Sequence, residues 1–322
     1  MTGAPAAVLA RGLAKRFGEV VAVDGLDLEV RTGELFGLLG PNGAGKTTTI
    51  NLLTGLARPD AGGFSIAGID CARRPRSAQH LIGVVPDESN LYPELTGFEN
   101  LRFCASLYGI PGPEAAARAQ ALLAEFGLTE AARRRFAGYS KGMKRKLTIA
   151  AGIIHRPPVL FLDEPTTGID VQSARHIRRL IADLHAAGTT ILLTTHYIEE
   201  AERLCGRVAF IVRGRIVRTD TVASLLEPVR DRQVLELELA ERPGAAAEAL
   251  GRAFPAARFA VREGRVRAES AEALPVGPLV RALEEQGIEV IEARRLRPTL
   301  EEVFVETTGL EAGVLLREKE KK

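Results

Sequence analysis

The chain has 322 residues, which is enough for one large and one smaller domain or for two domains of medium size. Lys and Arg number 43 against 41 Asp and Glu, so the net charge is +2 and gives no reason to expect nucleic-acid binding. Three widely separated cysteines, Cys71, Cys104 and Cys205, lack the CxxC spacing of a zinc site and argue against a disulfide framework, as is typical of a reducing compartment.

The N-terminal segment Met1–Ala10 lacks a basic region and a sustained apolar core, so we do not expect a signal peptide there. No run in the chain approaches the roughly 18–20 apolar residues of a membrane-spanning helix. If the protein works at a membrane, other chains must hold it there.

Short apolar runs alternate with helical patterns and Gly-rich turns up to about residue 225. Three of these runs are apolar on both faces, as buried strands of a parallel sheet are: Leu35–Leu39, Val159–Leu162 and Ile191–Thr194. Two further strands around a turn are predicted over Arg207–Val217. This alternation predicts an α/β domain over residues 7–226.

The segment 88–156 differs from its flanks, because Ala, Leu and Arg recur at helical spacing, as in Glu114–Phe126, and β-branched runs are few. We predict that it forms a helical subdomain inserted between strands of the α/β domain.

The pattern changes again after about Glu227. Four strands and two helices are predicted. The strands are Val234–Leu239, two short strands around Glu263-Gly264, and Ile288–Ile291. The helices are Ala245–Phe254, after the first strand, and Val276–Gln286, before the last. This β-α-β-β-α-β order predicts a small α+β ferredoxin-like domain over residues 230–322.

One more helix is predicted from Thr299, because Pro298 precedes it and Thr299 and Glu302 have capping-box spacing. The charged tail Arg317–Lys322 is expected to fray.

The strongest local signal lies between the strand Leu35–Leu39 and a helical pattern over Thr48–Leu56. It matches G-x-x-x-x-G-K-[ST] followed by one more threonine: Gly40, Pro41, Asn42, Gly43, Ala44, Gly45, Lys46, Thr47 and Thr48. Glycines let backbone N–H groups approach phosphate oxygens, and a helix N-terminus favours negative charge. We predict a nucleoside-triphosphate site in which Lys46 reaches the β- and γ-phosphates and Thr47 ligates Mg²⁺. The chain lacks the Asn-Lys-x-Asp sequence that reads guanine, which disfavours GTP.

A second candidate site follows two other predicted strands. Val159–Leu162 leads into Asp163 and Glu164, and the ligand crevice of an α/β sheet lies at the carboxyl ends of its strands. Asp163 is placed to hold Mg²⁺, and Glu164 to polarise an attacking water as general base. His196 follows the strand Thr190–Thr195, where it could contact the γ-phosphate or the water.

These motifs, in this order, resemble those of the ABC transporter ATPase family over roughly residues 7–225. Six segments carry the resemblance: Phe17, at the spacing of the aromatic residue that stacks on adenine; Gly40–Thr48, the Walker A loop; Tyr139–Met143, the signature, usually LSGGQ; Val159–Glu164, the Walker B strand; Thr167–Asp170, the D-loop; and His196, the switch histidine.

The resemblance implies ATP and Mg²⁺ as cofactors and a site shared between two ATPase domains that face each other head to tail. ATP on the Gly40–Thr48 loop of one domain meets Ser140 and the backbone at Gly142 of the other. Glu164, His196 and Lys46 are implied as catalytic residues. The implied partners are integral membrane permease subunits and a second ATPase subunit, with no nucleic acid, at the cytoplasmic face of the cell membrane.

The chain departs from the family pattern in two places. The signature has Lys141 and Met143 where Gly and Gln are common, although Ser140 and Gly142 remain. In the Q-loop, Asp87 stands where the family usually has Gln. Aspartate is shorter and charged, so it could still ligate Mg²⁺ but could also alter coupling or slow hydrolysis.

Residues 297–304 resemble the closing motif of daunorubicin-resistance-type exporter ATPases. This resemblance implies that residues 230–322 regulate the ATPases or help them to dimerise.

Two other function classes compete with the export ATPase. An ABC protein that acts on ribosomes or DNA usually carries two cassettes or a long coiled coil, whereas this chain has one of each motif and no heptad run. A binding module with a dead ATP site is supported only by Asp87 and opposed by Lys46, Asp163, Glu164 and His196.

Overall fold

The computed structural model describes residues 5–229, 232–241, 243–262, 264–270, 272–296 and 299–310. Contacts within the chain separate a first unit, which runs to Val222 and also includes residues 307–310, from a second unit, Ala223–Glu306. Glu263, Arg297, Pro298 and Arg317–Lys322, which the sequence predictions include, lie outside the described residues.

The strands of the first unit are β1 Ala6–Phe17, β2 Val20–Arg31, β3 Leu35–Leu39, β4 Ala61–Ile66, β5 Ile69–Asp70, β6 Ile82–Val85, β7 Val159–Asp163, β8 Thr190–Thr195, β9 Arg207–Val212 and β10 Arg215–Thr221. Its helices are α1 Lys46–Leu53, α2 Pro75–Gln79, α3 Gly97–Leu107, α4 Gly112–Glu125, α5 Lys141–Ile153, α6 Val171–Ala186 and α7 Ile198–Leu204. From Val222 onward the elements are α8 Val222–Leu226, β11 Gln233–Leu239, α9 Pro243–Ala253, β12 Arg258–Arg262, β13 Arg265–Ser270, α10 Val276–Glu284, β14 Val290–Leu296 and α11 Leu300–Thr308.

A six-stranded sheet in the order β10-β9-β3-β8-β7-β6 forms the centre of the first unit. All its neighbouring strands are parallel except β10, which is antiparallel to β9. Every residue of β3, β7 and β8 is buried, as expected for strands covered on both faces. The predicted parallel α/β core is confirmed, and the carboxyl ends of β3, β8 and β7 lie side by side.

The first unit also contains a four-stranded antiparallel sheet, β2-β1-β4-β5, which the sequence did not predict. β1 and β2 pair along most of their length, with register shifts between Ala10 and Leu13 and between Leu13 and Lys15. Such bulges interrupt the strict alternation of apolar and polar residues by which a half-buried strand is recognised.

The segment between β6 and β7 is helical, as predicted. α3 begins at a complete capping box, in which the Thr96 hydroxyl accepts from Glu99 N–H and the Glu99 carboxylate accepts from Thr96 N–H. α1, by contrast, is shorter than predicted: it ends at Leu53, and Gly55 adopts a φ of 77°, a conformation that ends helices.

The second unit contains an antiparallel sheet in the order β12-β13-β11-β14. The first of its four strands therefore lies between the third and the fourth, which is the predicted ferredoxin-like arrangement. The last strand was misplaced: Ile288 is buried but lies in the connection after α10, and β14 starts at Val290. No helix in the described part of the chain is long and apolar enough to cross a membrane.

Candidate active site

In the loop between β3 and α1, glycines adopt backbone conformations or lie in close contacts that leave no room for a side chain. Gly43 and Gly45 have φ values of 75° and 104°, where L side chains are strained. A Cβ on Gly45 would lie 2.4 Å from the Ala22 carbonyl oxygen, and one on Gly40 would lie 2.2 Å from that of Ile211. α1 has no side-chain cap. The N–H groups of its first turn lack acceptors within the helix, so this end is suited to an anion.

Lys46 is buried at the base of the loop. Its Nζ donates to the carbonyl oxygens of Gly40 at 2.7 Å and Pro41 at 3.1 Å, and lies 3.2 Å from Glu164 Oε1. The side chains of Lys46 and Glu164 are only 5% and 9% exposed. A buried charge without a partner is unfavourable, so each of these side chains favours the position of the other. The ion pair thus joins the loop to the residue that follows β7.

Asp163 and Glu164 are held by the neighbouring strand. Asp163 and Thr194 face each other in register on β7 and β8. The Thr194 hydroxyl donates to Asp163 Oδ1 at 2.5 Å, and Thr194 Oγ1 and its carbonyl oxygen both accept from Glu164 N–H at 3.1 Å. Thr194 belongs to no motif, but its place at the end of the strand beside β7 is a signal that could have found it.

Glu164 has a strained backbone and a fully engaged carboxylate. Its φ of 50° is unusual for a residue with a side chain, and such strain costs about 1–3 kcal/mol. Oε1 pairs with Lys46, and Oε2 accepts from the Thr167 hydroxyl at 3.0 Å and lies 2.8 Å from His196 Nδ1. An ionised carboxylate only accepts hydrogen bonds, so Nδ1 carries the proton in this contact.

The surroundings of Glu164 act on its pKa in opposite directions. Burial raises the pKa of this carboxyl. The hydrogen bond from His196, the charge of Lys46 and the hydrogen bond from Thr167 lower it by more than burial raises it, so the net pKa is below its usual value. The structure therefore brings together four predicted residues, Lys46, Asp163, Glu164 and His196, and the carboxylate of Glu164 is ionised.

Comparison with known proteins shows the family. A protein-family profile described as ABC transporter matches residues 23–167. Daunorubicin resistance ATP-binding protein DrrA2 of Streptomyces coeruleorubidus is 40% identical over 306 residues, covering 94% of this chain and 95% of that protein. The chain belongs to the ABC transporter family. It is accordingly a nucleotide-binding ATPase with an ABC ATPase core.

Further relatives agree with this membership. Nod factor export ATP-binding protein I of Burkholderia orbicola is 43% identical over 227 residues, 70% of this chain and 75% of that protein. A solved ATP-binding subunit of an ABC transporter has a TM-score of 0.63 and 32% identity over 69% of this chain and 92% of its own. A dimeric ATP-binding cassette in a post-hydrolysis state with ADP and Pi has a TM-score of 0.62 and 26% identity, over 67% and 98%.

The signature residues of this ABC ATPase lie at the start of α5. Ser140 is the exposed N-cap residue, and its hydroxyl accepts from Met143 N–H at 3.3 Å. Gly142 is buried against α6, where an added Cβ would lie 2.2 Å from Ser173 Oγ. The contacts of Ser140 and Gly142 within the chain are thus helix capping and helix packing, and neither contact reaches the Gly40–Thr48 loop.

The remaining predicted nucleotide contacts differ in exposure: Gly40 and Ala44 are buried, whereas others are open to solvent. Phe17, at the end of β1, is 55% exposed rather than part of the core, and Lys15 Nζ lies 5.4 Å from its ring centre. An exposed aromatic face is available for stacking. In the loop, Asn42, Gly43 and Thr47 are exposed.

The described part of the chain offers few candidate ligands for a magnesium ion. In the described residues there is no group of three or more His, Cys, Asp or Glu side chains that could hold a metal. The exposed Thr47 hydroxyl and the Asp163 carboxylate fit a Mg²⁺ ion that takes one or two protein ligands and completes its shell with nucleotide phosphates and water.

Asp87, the departure in the Q-loop, contacts a residue that carries no predicted role. Arg145 of α5 lies 3.2 Å from Asp87 Oδ1 and also donates to the Glu164 carbonyl oxygen at 3.2 Å. Burial raises the pKa of Asp87, with Asp163 and Glu164 adding to the rise and Arg145 opposing it.

Proposed function

We propose that this chain is the ATP-hydrolysing subunit of an exporter whose cargo passes through separate integral membrane subunits. The observation that carries the proposal is the buried group of Lys46, Glu164 and His196 beside the phosphate loop. Relatives named for daunorubicin resistance and Nod factor export supply the direction of transport. The cargo-binding part would lie in the membrane subunits.

In this proposal Lys46 and the first turn of α1 bind the β- and γ-phosphates, and Phe17 stacks on the adenine. Glu164 accepts a proton from the attacking water, which requires an ionised carboxylate, and the lowered pKa of Glu164 supports this role. His196 orients the Glu164 carboxylate through Nδ1 and presents its other ring nitrogen toward the γ-phosphate. When bound, Mg²⁺, held by Thr47 and Asp163, would neutralise charge on the phosphate oxygens.

The proposal also includes a second ATPase subunit. Ser140 and Gly142 would complete the site of that partner, since both lie at the N-terminal end of the 13-residue helix α5. The dimeric relative with ADP and Pi supports this arrangement. The chain would then dock on permease subunits at the cytoplasmic face of the cell membrane, and residues 230–322 would form an accessory domain after the ATPase domain of residues 7–226.

The test is Glu164→Gln in the full-length chain. Removing the general base is expected to lower kcat for ATP by about 10²–10⁴-fold while ATP binding is retained and a closed dimer accumulates. Phosphate release, equilibrium binding of labelled ATP and size-exclusion chromatography with MgATP measure the three effects. Glu199→Gln is the control, because Glu199 is 78% exposed on α7, and it should behave as the unchanged protein.

Undiminished ATP hydrolysis by Glu164→Gln would overturn the role of Glu164. The transport assignment has a separate test: the chain should co-purify in detergent with a polytopic membrane protein. Recovery only with ribosomes or nucleic acid would favour the competing class of ABC proteins.

A further inference from the structure

Arg145 is a nearly buried cation, 7% exposed, that no motif accounts for. Its Nη1 donates to the Pro86 carbonyl oxygen at 2.6 Å, and its Nη2 to the Asp87 carbonyl oxygen, also at 2.6 Å. Nη2 also lies 3.2 Å from both Asp87 Oδ1 and the Glu164 carbonyl oxygen. One side chain of α5 therefore joins the segments that follow β6 and β7.

The chemistry of these contacts requires an arginine. A guanidinium is planar, carries five N–H donors in a fixed fork and can serve several acceptors at once, whereas a lysine ammonium is a compact point charge. A buried cation without partners is strongly unfavourable, so the carbonyl groups and the Asp87 carboxylate are needed to keep Arg145 in place.

Arg145 acts on the residue with the strained backbone. Thr194 holds the N–H of Glu164, while Arg145 Nη2 and Thr167 N–H both donate to its carbonyl oxygen at 3.2 Å. A conformation with φ of 50° persists only where neighbouring groups hold it. The direction of the Glu164 carboxylate therefore depends on Arg145 although Arg145 does not touch that carboxylate.

Asp87 completes the arrangement. Its side chain is about half exposed, and the guanidinium is the cation that it contacts. Asp163 and Glu164 place two further carboxylates near it, since both are close enough to raise its pKa. A negative charge at position 87 is tolerated beside these acids because Arg145 balances it.

We propose that Arg145 is a positioning residue for ATP hydrolysis, and that Asp87 and Arg145 form a charge-matched pair that holds α5, the Q-loop and Glu164 in one arrangement. This inference rests on the proposed function, because it needs Glu164 to act in hydrolysis. It explains the aspartate of the Q-loop as one half of a pair and not as a sign of a dead site.

Arg145→Lys in the full-length chain tests the positioning role, because it keeps the charge and removes the fork. kcat for ATP is expected to fall by about 10–100-fold, the usual effect of a small misplacement of a reacting group. KM for ATP should change by less than about threefold, since Lys46 and the loop are untouched. The matched control is Arg118→Lys: Arg118 also donates to a main-chain carbonyl, that of Ile154, and pairs with Glu114, but lies outside the site. It should leave kcat and KM unchanged.

The pair is tested by Asp87→Gln, Arg145→Gln and the double variant. If the two side chains act as a unit, the double variant retains at least about threefold more activity than the product of the single losses predicts. Because Asp87 is half exposed, Asp87→Gln is expected to fold, so this arm remains informative if Arg145→Gln does not. A kcat for Asp87→Gln equal to that of the unchanged protein, or losses that multiply in the double variant, would overturn the pairing.

The outcomes separate this inference from the function on which it rests. No ATP hydrolysis by the unchanged protein, alone or with permease-containing membranes, would overturn both. Normal hydrolysis by the unchanged protein together with normal kcat in Arg145→Lys would overturn the positioning role alone. A rise in KM for ATP without a fall in kcat would also overturn it, because it would place Arg145 in binding.

Discussion

The two units of the chain both contain networks of ionised side chains, and the networks differ in burial. In the first unit, Lys46, Arg145 and Glu164 are each less than 10% exposed; the two cations bond mainly to main-chain carbonyl oxygens, and the Glu164 carboxylate bonds to the side chains of the site. In the second unit, Arg265 and Arg294 pair with Glu236 across β13, β11 and β14, and their side chains are 40% and 49% exposed. Solvent strongly weakens the attraction between the charges of Arg265, Arg294 and Glu236. Ion pairs therefore indicate a functional site where they are buried in the first unit and a solvated sheet face where they are exposed in the second.

The largest effect in this comparison is expected from Thr194→Val. Valine keeps the shape of the buried threonine but leaves Asp163 Oδ1 without its donor and Glu164 N–H with one acceptor in place of two. We expect a fall in kcat of about 10–100-fold and a loss of about 1–3 kcal/mol of stability. Steady-state ATPase assays and thermal unfolding measure the two losses.

Thr190→Val is the matched control for Thr194→Val. Thr190 is equally buried at the opposite end of β8, where its hydroxyl accepts from Gly33 N–H at 2.9 Å. It should lower stability to a similar degree and leave kcat unchanged. Equal losses of kcat in both variants would show that Thr194 acts only through stability.

An intermediate effect is expected from two buried carboxyl groups with opposite pKa shifts. Glu200 is 3% exposed, accepts from the Thr166 hydroxyl at 2.8 Å, and its Oε2 is among the buried atoms without a hydrogen-bond partner. Burial raises the pKa of Glu200, whereas His196 and Lys46 outweigh burial and lower the pKa of Glu164. An acid whose folded pKa is raised loses stability as the pH rises from its unfolded pKa toward its folded pKa. An acid whose folded pKa is lowered contributes stability above its unfolded pKa, and that stability is lost as the pH falls through the folded pKa.

Glu200→Gln is therefore expected to raise the melting temperature by a few degrees at pH 7.5, and this gain should vanish as the pH falls below about 4.5. Glu164→Gln should lower the melting temperature at pH 7.5, and its effect should also shrink as the pH falls through the lowered pKa of Glu164. Scanning calorimetry of both variants against pH provides the measurement. A stabilisation by Glu200→Gln that does not depend on pH would contradict the assignment of the effect to ionisation.

The sequence predicted those parts of the site that are local in the chain. The loop around Lys46, the strand ending in Asp163 and the helix start at Ser140 each combine a residue type with its own flanking pattern, and all three lie where predicted. Thr194 and Arg145 have no local sequence pattern of this kind, because their partners lie 19 to 59 positions away in the chain. Strand register and helix placement bring them together, and no local pattern encodes either.

The same reasoning explains the fold. The order of elements in the second unit was predicted because its strands and helices are short and regular. The sequence did not predict the sheet formed by β1, β2, β4 and β5, because bulges along β1 disturb the alternation of apolar and polar residues that identifies a strand with one face on the core. Tertiary pairing, rather than local propensity, determines that sheet.

The smallest effect is expected from Arg294→Ala in the second unit. Arg294 donates to Glu236 Oε2 from Nε at 3.1 Å and from Nη2 at 2.6 Å, but it is half exposed, and Arg265 remains to pair with the same carboxylate. The loss should be about 0.5 kcal/mol or less and should shrink at high salt.

Arg267→Ala provides the contrast that makes this small effect informative. Arg267 is 14% exposed and pairs with Glu302 of α11, which is 20% exposed, and with the more exposed Glu269. Its removal leaves the shielded Glu302 carboxylate without this donor and should cost about 1.5–3 kcal/mol. Hydrogen exchange of the β11 and β13 amides reads this unit locally, independently of the ATPase core. Equal changes in exchange for both variants would contradict burial as the property that distinguishes the two kinds of ion pair. The functional assignment of the buried group around Glu164 would then depend only on its position beside the phosphate loop.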